Sequence, residues 1–440
     1  MNRFCGTALK RRFFIVFSLM VFFAFPLHVR AEGEREVTLE EAYHSALRHN
    51  EQILASGHRV DQAKEDIRIA KSPLFPQVQL RGRHIRMKET TYQGLGITGP
   101  DHYNEASIQG SQVLFQGGKL RIGIQASRYV AESGVYEDYR TRQQILFAVS
   151  NSFYNVLFAR RSTDIAESQL TRSNQHLELA RQRQEVGLVD MTAVLRARVQ
   201  VAAAMEALEE ARNNYTVAKE RLALEMGIPT PPDSVKEPET IEMEDATVDA
   251  YIEYAFQHRQ DLLAAEKWLL AAESNVKAER RDFFPSLSVE GSYSMVDEDL
   301  VYEGDDYNWQ AALVASLPLF TGFKNTADVA KARAAESEMQ AAYNRAKQEI
   351  RLDVRQAYAD IQTRKKMIRH LNDQVDSARA NYEQVSAKFE EGLASTVDLV
   401  DADTALNEAE LSMANVYYRL QLDHLSLKLA TGEFLQHMLQ

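Results

Sequence analysis

The sequence has 440 residues and a single cysteine, Cys5. Cys5 precedes an apolar segment, residues 13–25, and Val29-Arg30-Ala31 then supplies a small-x-small cleavage site. We interpret residues 1–31 as an export signal; the alternative, an uncleaved inner-membrane anchor, is disfavoured by Pro26 and by the shortness of the apolar segment. Because cleavage would remove Cys5, we expect the mature chain to form no disulfide and no thiolate metal site.

Long apolar runs are also missing from the sequence. No run of 18 or more apolar residues follows the signal, so the sequence predicts no transmembrane helix. The formal net charge is -12, and removal of the five basic residues in 1–31 leaves about -17. An acidic exported chain binds nucleic acid poorly, so we expect no such partner, and any membrane-spanning part must use β-strands.

Patterns typical of enzymes and cofactor sites are absent as well. Gln116-Gly117-Gly118-Lys119-Leu120 has only a superficial likeness to a phosphate loop, because leucine follows the lysine and the earlier glycine is missing. The eleven histidines are scattered, with no pair at metal-ligand spacing beside a carboxylate on one helix face. No nucleophile–base arrangement is visible. We therefore predict no enzymatic activity, no cofactor and no metal site.

The longest pattern that is present is a row of residues at alternating spacings of four and three. Its members would share one helix face: Ile350, Val354, Ala357, Ile361, Arg364, Ile368, Leu371, Val375, Ala378, Tyr382, Val385 and Phe389. A 3.5-residue repeat of this length predicts a helix with coiled-coil character that packs along a partner helix.

This helix is predicted to end in a sharp reversal. Gly392 fits the left-handed position after a helix, and Ser395 with Asp398 fits a capping box that begins the next helix. The same arrangement occurs earlier in the chain, where Gly187 is followed by Asp190 as an N-cap residue.

The two reversals belong to an internal tandem duplication. Residues 205 positions apart match in the pairs Phe115/Phe320, Gly117/Gly322, Lys119/Lys324, Gly187/Gly392, Leu222/Leu427 and Gly227/Gly432. Upstream the separation is 209, in the pairs His49/His258, Ile53/Leu262, Phe75/Phe284 and Pro76/Pro285. We predict a first repeat at 32–227, an acidic proline-rich linker at 228–247, a second repeat at 248–433 and a short tail at 434–440.

Each repeat is predicted to contain a helix, a strand hairpin, a long helix and a return helix. The predicted helices are 37–71, 119–186 and 191–226 in the first repeat and 248–281, 323–391 and 397–430 in the second. The long helices would each extend about 100 Å. Small residues such as Ala202-Ala203-Ala204 suit close helix approach, and they suit high helix propensity equally well.

The hairpins show the alternation of β-strands. One face of the second hairpin is predicted to carry Leu287, Val289, Gly291, Tyr293 and Met295, and then Trp309, Ala311, Leu313, Ala315 and Leu317, with an acidic loop at 297–306 between them. In the first hairpin a strand around Val78 and Leu80 precedes a loop at 90–104 and a strand at 105–115. This period is typical of outer-membrane barrel strands, although a half-buried hairpin of a soluble sheet fits it equally well.

Four amphipathic strands leave two open edges, and an open sheet cannot span a membrane because unpaired backbone groups are costly in hydrocarbon. Four strands also cannot enclose a barrel, so other copies would have to complete it. Two chains would give eight strands around a filled interior, and three would give twelve strands, enough for a pore.

Several short motifs occur in order, most of them twice. They are Ser72-Pro73-Leu74-Phe75-Pro76, Phe283-Phe284-Pro285, Leu319-Phe320-Thr321-Gly322, Phe153-Tyr154-Asn155-Val156-Leu157, Gly187-Leu188-Val189, Gly392-Leu393 and Val397-Asp398-Leu399-Val400-Asp401-Ala402. Through them the chain resembles the TolC-like outer-membrane efflux proteins, the outer-membrane factors, over nearly all of its mature length.

The resemblance implies a homotrimer with a twelve-stranded barrel in the outer membrane and an α-helical periplasmic tunnel. It also implies a passive exit duct of a tripartite efflux or type I secretion system, docked by a periplasmic adaptor and energised by an inner-membrane transporter. The main alternative is a soluble periplasmic coiled-coil adaptor or scaffold, which explains the helices but not four amphipathic strands.

The resemblance further implies two sites. The adaptor would dock at the turns, on Gly187, Leu188, Val189, Gly392, Leu393 and Ala394; alternatively, the two leucines only cap their own helices. Asp398 and Asp401 would line a pore constriction, where crowded carboxylates raise their pKa values and attract cations; alternatively, they only favour the start of a helix. Family members with a polar lock at the closed end have Asp, Tyr and Arg where this chain has Ala193, Phe389 and Ala394, so that lock is not expected here.

Overall fold

The computed structural model describes residues 36–88, 91–92, 97–98, 101–240, 246–297 and 307–434. The predicted export signal, residues 241–245 of the predicted linker, most of the predicted acidic loop and all but Phe434 of the predicted tail lie outside the described residues. Among those described, no helix is both long and apolar enough to cross a membrane.

The described helices and strands follow the predicted order in both repeats. The helices are α1 Leu39–His49, α2 Glu51–Lys71, α3 Lys119–Glu185, α4 Met191–Met226, α5 Val248–His258, α6 Gln260–Glu279, α7 Lys324–Glu391 and α8 Thr396–Thr431. The strands are β1 Glu36–Val37, β2 Gln77–Arg86, β3 Thr91–Tyr92, β4 Ile97–Thr98, β5 His102–Gln116, β6 Ser234–Val235, β7 Ser286–Asp297 and β8 Tyr307–Ser316.

The main sheet is antiparallel, with strand order β2-β5-β7-β8. Its two hairpins, one from each repeat, pair along β5 and β7, and β2 and β8 form its free edges. Within the loop predicted at 90–104, β3 and β4 form a small pair of their own. The duplicated arrangement of four strands and long helices confirms the predicted fold class.

The alternating 4-3 face of α7 is buried or half-buried along its whole length, as predicted. Ile350, Val354 and Ile361 pack into one apolar core with α5 and α8. The charged member of the row, Arg364, forms an ion pair with Asp423 of α8. A second core lies between α1, α3, α4 and α8, where Tyr43, Phe153 and Phe434 are fully buried.

The single helices predicted at 37–71 and 248–281 are wrong, because each is broken into two. Asn50 and Arg259 have extended backbones at the breaks and hydrogen-bond to the end of another helix. Asn50 Nδ2 donates to Glu225 O of α4 at 2.9 Å, and Arg259 Nη1 donates to Ala430 O of α8 at 3.1 Å. A return helix thus ends against each break, α4 at Asn50 and α8 at Arg259. We call these two places the joints.

Candidate functional site at the two helix turns

The turns α3–α4 and α7–α8 have the same backbone structure. Gly187 and Gly392 take left-handed conformations with φ of 73° and 81°, which a residue with a Cβ adopts only with strain. In each turn the N–H groups of the glycine and of the following leucine donate to carbonyls of the last helical turn at 2.8 to 3.1 Å. This is a Schellman motif, and it reverses the chain within a few residues.

The return helices begin with the predicted caps. Asp190 Oδ1 accepts from Ala193 N at 3.1 Å at the start of α4. At the start of α8, Ser395 Oγ accepts from Asp398 N at 3.3 Å while Asp398 Oδ2 accepts from Ser395 N at 2.9 Å, which completes the capping box.

The apolar residues of the turns face outward. Leu188 is 73% exposed and Leu393 is 74% exposed, while Val189 and Ala394 are half-buried. A leucine that capped its own helix would cover its side chain against that helix, which these two do not. The two turns together therefore present an apolar surface that the chain itself does not use.

Asp398 and Asp401 lie one helical turn apart at the start of α8, and both side chains are exposed in the single chain. The hydrogen bonds from the backbone and the hydroxyl of Ser395 lower the pKa of Asp398 below its usual value of 3.8. This is the direction expected for a capping carboxylate and opposite to the one predicted for a crowded ring, which would need other chains around it.

A buried polar cluster above the turns was missed by sequence reasoning. Arg172 of α3 donates to Asp403 Oδ1 at 2.5 Å and to Asn407 Oδ1 at 2.6 Å, and Asp403 is 1% exposed. The guanidinium also lies 5.5 Å from the ring centre of Tyr382 in α7, and His176 Nε2 is 3.0 Å from the Tyr382 hydroxyl. Burial lowers the pKa of His176 and raises that of Tyr382. A sequence signal existed, because Asp403 and Asn407 follow the apolar Leu399 at helical spacings of four residues and therefore share its face.

A second contact joins α3 to α7 at the turns. The Arg183 guanidinium lies 4.9 Å from the ring centre of Phe389 and donates to the carbonyl of Glu390. Phe389, one of the three positions at which no polar lock was expected, is buried in this contact. This cation–π contact holds the end of α3 against the end of α7.

Among the residues that the structure describes, no group of three or more His, Cys, Asp or Glu side chains is arranged to hold a metal ion. Exposed carboxylates at the turns include Asp190, Glu391, Asp398 and Asp401, and Asp398 accepts a hydrogen bond from the hydroxyl of Ser395 at 2.7 Å. The turns present exposed apolar and charged side chains side by side.

The chain is similar to known proteins over most of its length. The sequence model of the outer membrane efflux proteins matches residues 42–227 and 251–433. Outer membrane protein TolC of Vibrio cholerae is 26% identical over 90% of this chain and 90% of its own length. The toluene efflux pump outer membrane protein TtgF of Pseudomonas putida is 24% identical over 86% of this chain and 79% of its own. The crystal structure of the outer membrane protein VceC from Vibrio cholerae superposes with a TM-score of 0.75 at 21% identity, covering 90% of this chain and 96% of VceC.

A free-edged four-stranded sheet that carries two long helical hairpins, together with these likenesses, defines a channel protein of the outer membrane. The chain belongs to the outer membrane efflux protein family. The predicted resemblance, location and channel function are thereby confirmed, and because members of this family are channels, so is the prediction that the chain is not an enzyme.

Proposed function

We propose that three copies of this chain form the exit duct of a tripartite efflux or type I secretion system. Twelve strands, four from each chain, close a barrel in the outer membrane, and the long helices form a tunnel in the periplasm. A periplasmic adaptor docks at the turns, and an inner-membrane transporter supplies the energy.

The free edges of the sheet carry this proposal. Among the strands that the structure describes, β2 and β8 each have a partner on one side only, and apolar side chains along them are open to solvent, with Leu80 78% and Leu313 67% exposed. An unpaired backbone in hydrocarbon costs several kcal/mol per group, so the edges must be paired by other strands. Twelve strands leave room for a conduit, whereas eight leave an interior that side chains fill.

The names of two relatives support the direction of transport. One of them is the outer membrane protein of a toluene efflux pump. Another is Protein CyaE of Bordetella pertussis, 24% identical over 77% of this chain.

At the turns we place two functional surfaces. The docking surface consists of Gly187, Leu188, Val189, Gly392, Leu393 and Ala394, and its exposed leucines support it. The constriction consists of Asp398 and Asp401, which in a trimer would contribute six carboxylates to one ring. Such a ring concentrates cations and raises the pKa values of its members.

Native mass spectrometry of the detergent-solubilised protein tests the assembly. We expect a complex with the mass of three chains. This complex should persist on dilution to concentrations at which non-specific association is lost. A stable dimer or a monomer would contradict the proposed duct.

A further inference from the structure

The helices just below the sheet carry a pocket with a strong positive charge. The pocket has a volume of about 700 Å³ and lies between the end of α2, the start of α3 and α6. Among the described residues that line it there is no Asp or Glu, and four are basic: Lys71, Arg121, Arg128 and Lys277. We call it the basic pocket. A second pocket, on the opposite face of α3, is lined by one acid and one base, Asp66 and Lys119, so the excess charge lies on one side of the helix layer.

The basic pocket lies on the side of the apolar face of the sheet. Leu80 and Ile108 are paired on that face, and Gln112 shares it because it follows Ile108 by four residues. Gln112 Nε2 donates to Pro73 O at 3.1 Å, in the short turn that follows α2. The next residue, Leu74, lines the basic pocket.

The second pocket lies on the side of the polar face. Gln116 at the end of β5 lines this pocket and pairs with Ser286, which shares the polar face with Ser292. In an outer-membrane barrel the apolar face meets lipid and the polar face lines the interior. The basic pocket is therefore on the lipid side of the chain.

The depth of the basic pocket matches the lipid headgroups. α3 starts four residues after Phe115, the last apolar residue on the outer face of β5. Arg121 is in the first turn of α3, and Arg128 lies about 10 Å further along its axis. Headgroups occupy about 5 to 8 Å beyond the hydrocarbon, and side chains of a helix that runs away from the membrane tilt back towards it. Both guanidinium groups can thus reach the headgroup layer.

The charges of the basic pocket are available to a ligand. Within the described part of the chain, Lys71, Arg121 and Arg128 form no ion pair, and Lys277 has only a contact of 3.9 Å with Glu273 on the helix surface. Just below the pocket the situation changes. Lys267 lies over the ring of Tyr129 and is paired with Glu132 at 2.6 Å. The unpaired positive charge is thus at the membrane end of this face.

We propose that the basic pocket binds the headgroup of an anionic phospholipid from the periplasmic leaflet of the outer membrane. Arginine and lysine are the side chains that bind phosphate, and basic pockets beside a membrane surface attract anionic lipids. The rest of the lining is largely apolar and includes Leu74, Ile122 and Tyr129, which suits the glycerol and the first part of the acyl chains. One chain supplies the whole site, so the proposed trimer carries three.

Native mass spectrometry of the protein released from nanodiscs tests this site. The nanodiscs contain equal amounts of phosphatidylglycerol and phosphatidylcholine. We expect up to three phosphatidylglycerol molecules to stay bound to each trimer, in preference to phosphatidylcholine. Arg121→Gln with Arg128→Gln should lower the retention of phosphatidylglycerol about tenfold and leave that of phosphatidylcholine unchanged.

The matched control is Arg196→Gln with Arg198→Gln, which removes the same charge from exposed residues of α4 near the turns, far from the membrane. It should retain phosphatidylglycerol like the unsubstituted chain. A further measurement adds excess inorganic phosphate before release. Lipid should stay bound, because its acyl chains contribute to binding and the free ion lacks them.

The outcomes separate the lipid site from the assembly. Loss of phosphatidylglycerol in the pocket variant and not in the control supports the site. Equal retention in the pocket variant and the unsubstituted chain overturns it, and displacement by inorganic phosphate overturns the assignment to a lipid. The same spectra give the mass of the protein. A trimer without bound lipid overturns the site and leaves the duct standing, whereas a monomer that retains phosphatidylglycerol overturns the duct and leaves the site standing.

Discussion

The turns and the joints both end a helix with a left-handed glycine, yet their surroundings differ. Gly187 and Gly392 at the turns have open space where a Cβ would lie. At the joints, a Cβ on Gly227 would lie 2.5 Å from the backbone of His49, and one on Gly432 would lie 2.7 Å from His258 O. One backbone motif thus serves a free surface in one place and a tight contact between backbones in the other.

The largest difference should appear when a methyl group is added at each place. Gly227→Ala brings left-handed strain and a clash with backbone atoms, and we expect a loss of about 4 kcal/mol in unfolding free energy. Gly187→Ala brings the strain alone, about 1 kcal/mol. Denaturant unfolding followed by circular dichroism measures both. Equal losses would show that the joint does not depend on close approach.

Acid should weaken the region near the joints before it weakens the turns. His424 of α8 is buried, neither ring nitrogen has a hydrogen-bond partner, and burial lowers its pKa from 6.5 to about 4. Its folded pKa is depressed, so the stability present above pH 6.5 is lost as the pH falls towards 4, in total about 3 kcal/mol per chain. The capping box should persist to lower pH, because hydrogen bonds hold the pKa of Asp398 below 3.8.

The control for this prediction is His424→Leu, which replaces the titrating imidazole with an apolar side chain of similar size. Its stability should change much less than that of the unsubstituted chain between pH 7 and pH 4.5. If the two lose the same stability over this range, other groups carry the acid response.

At the turns the carboxylates should matter for ions rather than for folding. In single-trimer conductance across planar bilayers, Asp398→Asn with Asp401→Asn should weaken block by a trivalent cation on the order of 100-fold and flatten its acid dependence. Glu408→Gln, an exposed charge two helical turns further along α8, is the control and should change block little. If cation block and its acid dependence are the same in the double variant as in the unsubstituted trimer, the carboxylates do not line the pore. Helix capping is then their remaining role.

The smallest effect on stability should come from the leucines of the turns. Leu188→Ser with Leu393→Ser should reduce crosslinking to the proposed adaptor about tenfold or more, because it removes apolar area that docking would bury, while unfolding free energy changes by less than about 0.5 kcal/mol. Leu224→Ser is a matched control, since Leu224 is equally exposed but lies beside a joint. A large stability loss in the double variant would instead favour leucines that cap their own helices.

The features that could be predicted from the sequence are those that depend on the local spacing of residues. The spacing from Ile350 to Phe389 gave the buried face of α7, and the order of glycine, leucine and capping residue gave both turns. The break at Arg259 could not be found in this way, because arginine is a good helix former. Asn50 caps α2 through its side chain and asparagine is a preferred N-cap residue, but the apolar spacing continues across it and favoured one helix. Each break is held by the end of a distant helix, Glu225 O in one case and Ala430 O in the other.

The cluster around Arg172 was missed for a related reason. Asp403 and Asn407 were visible as polar residues on the face that also carries Leu399, but their partner lies on α3, more than two hundred residues earlier in the chain. Periodicity identifies the face that a helix buries, and it does not identify which helix covers that face.

The short parallel pair of β1 with β6 has a consequence for the order of folding. It joins Val37 to Val235, about 200 residues apart, and Arg160 of α3 donates to Val235 O at 3.0 Å. Closing so long a loop costs entropy before its contacts offset it, whereas helices joined by a tight turn meet through local contacts and form quickly. The turns should therefore form early in folding and the β1–β6 pair late. A protease added to a partly folded chain should then cut beside β6 and not at the turns.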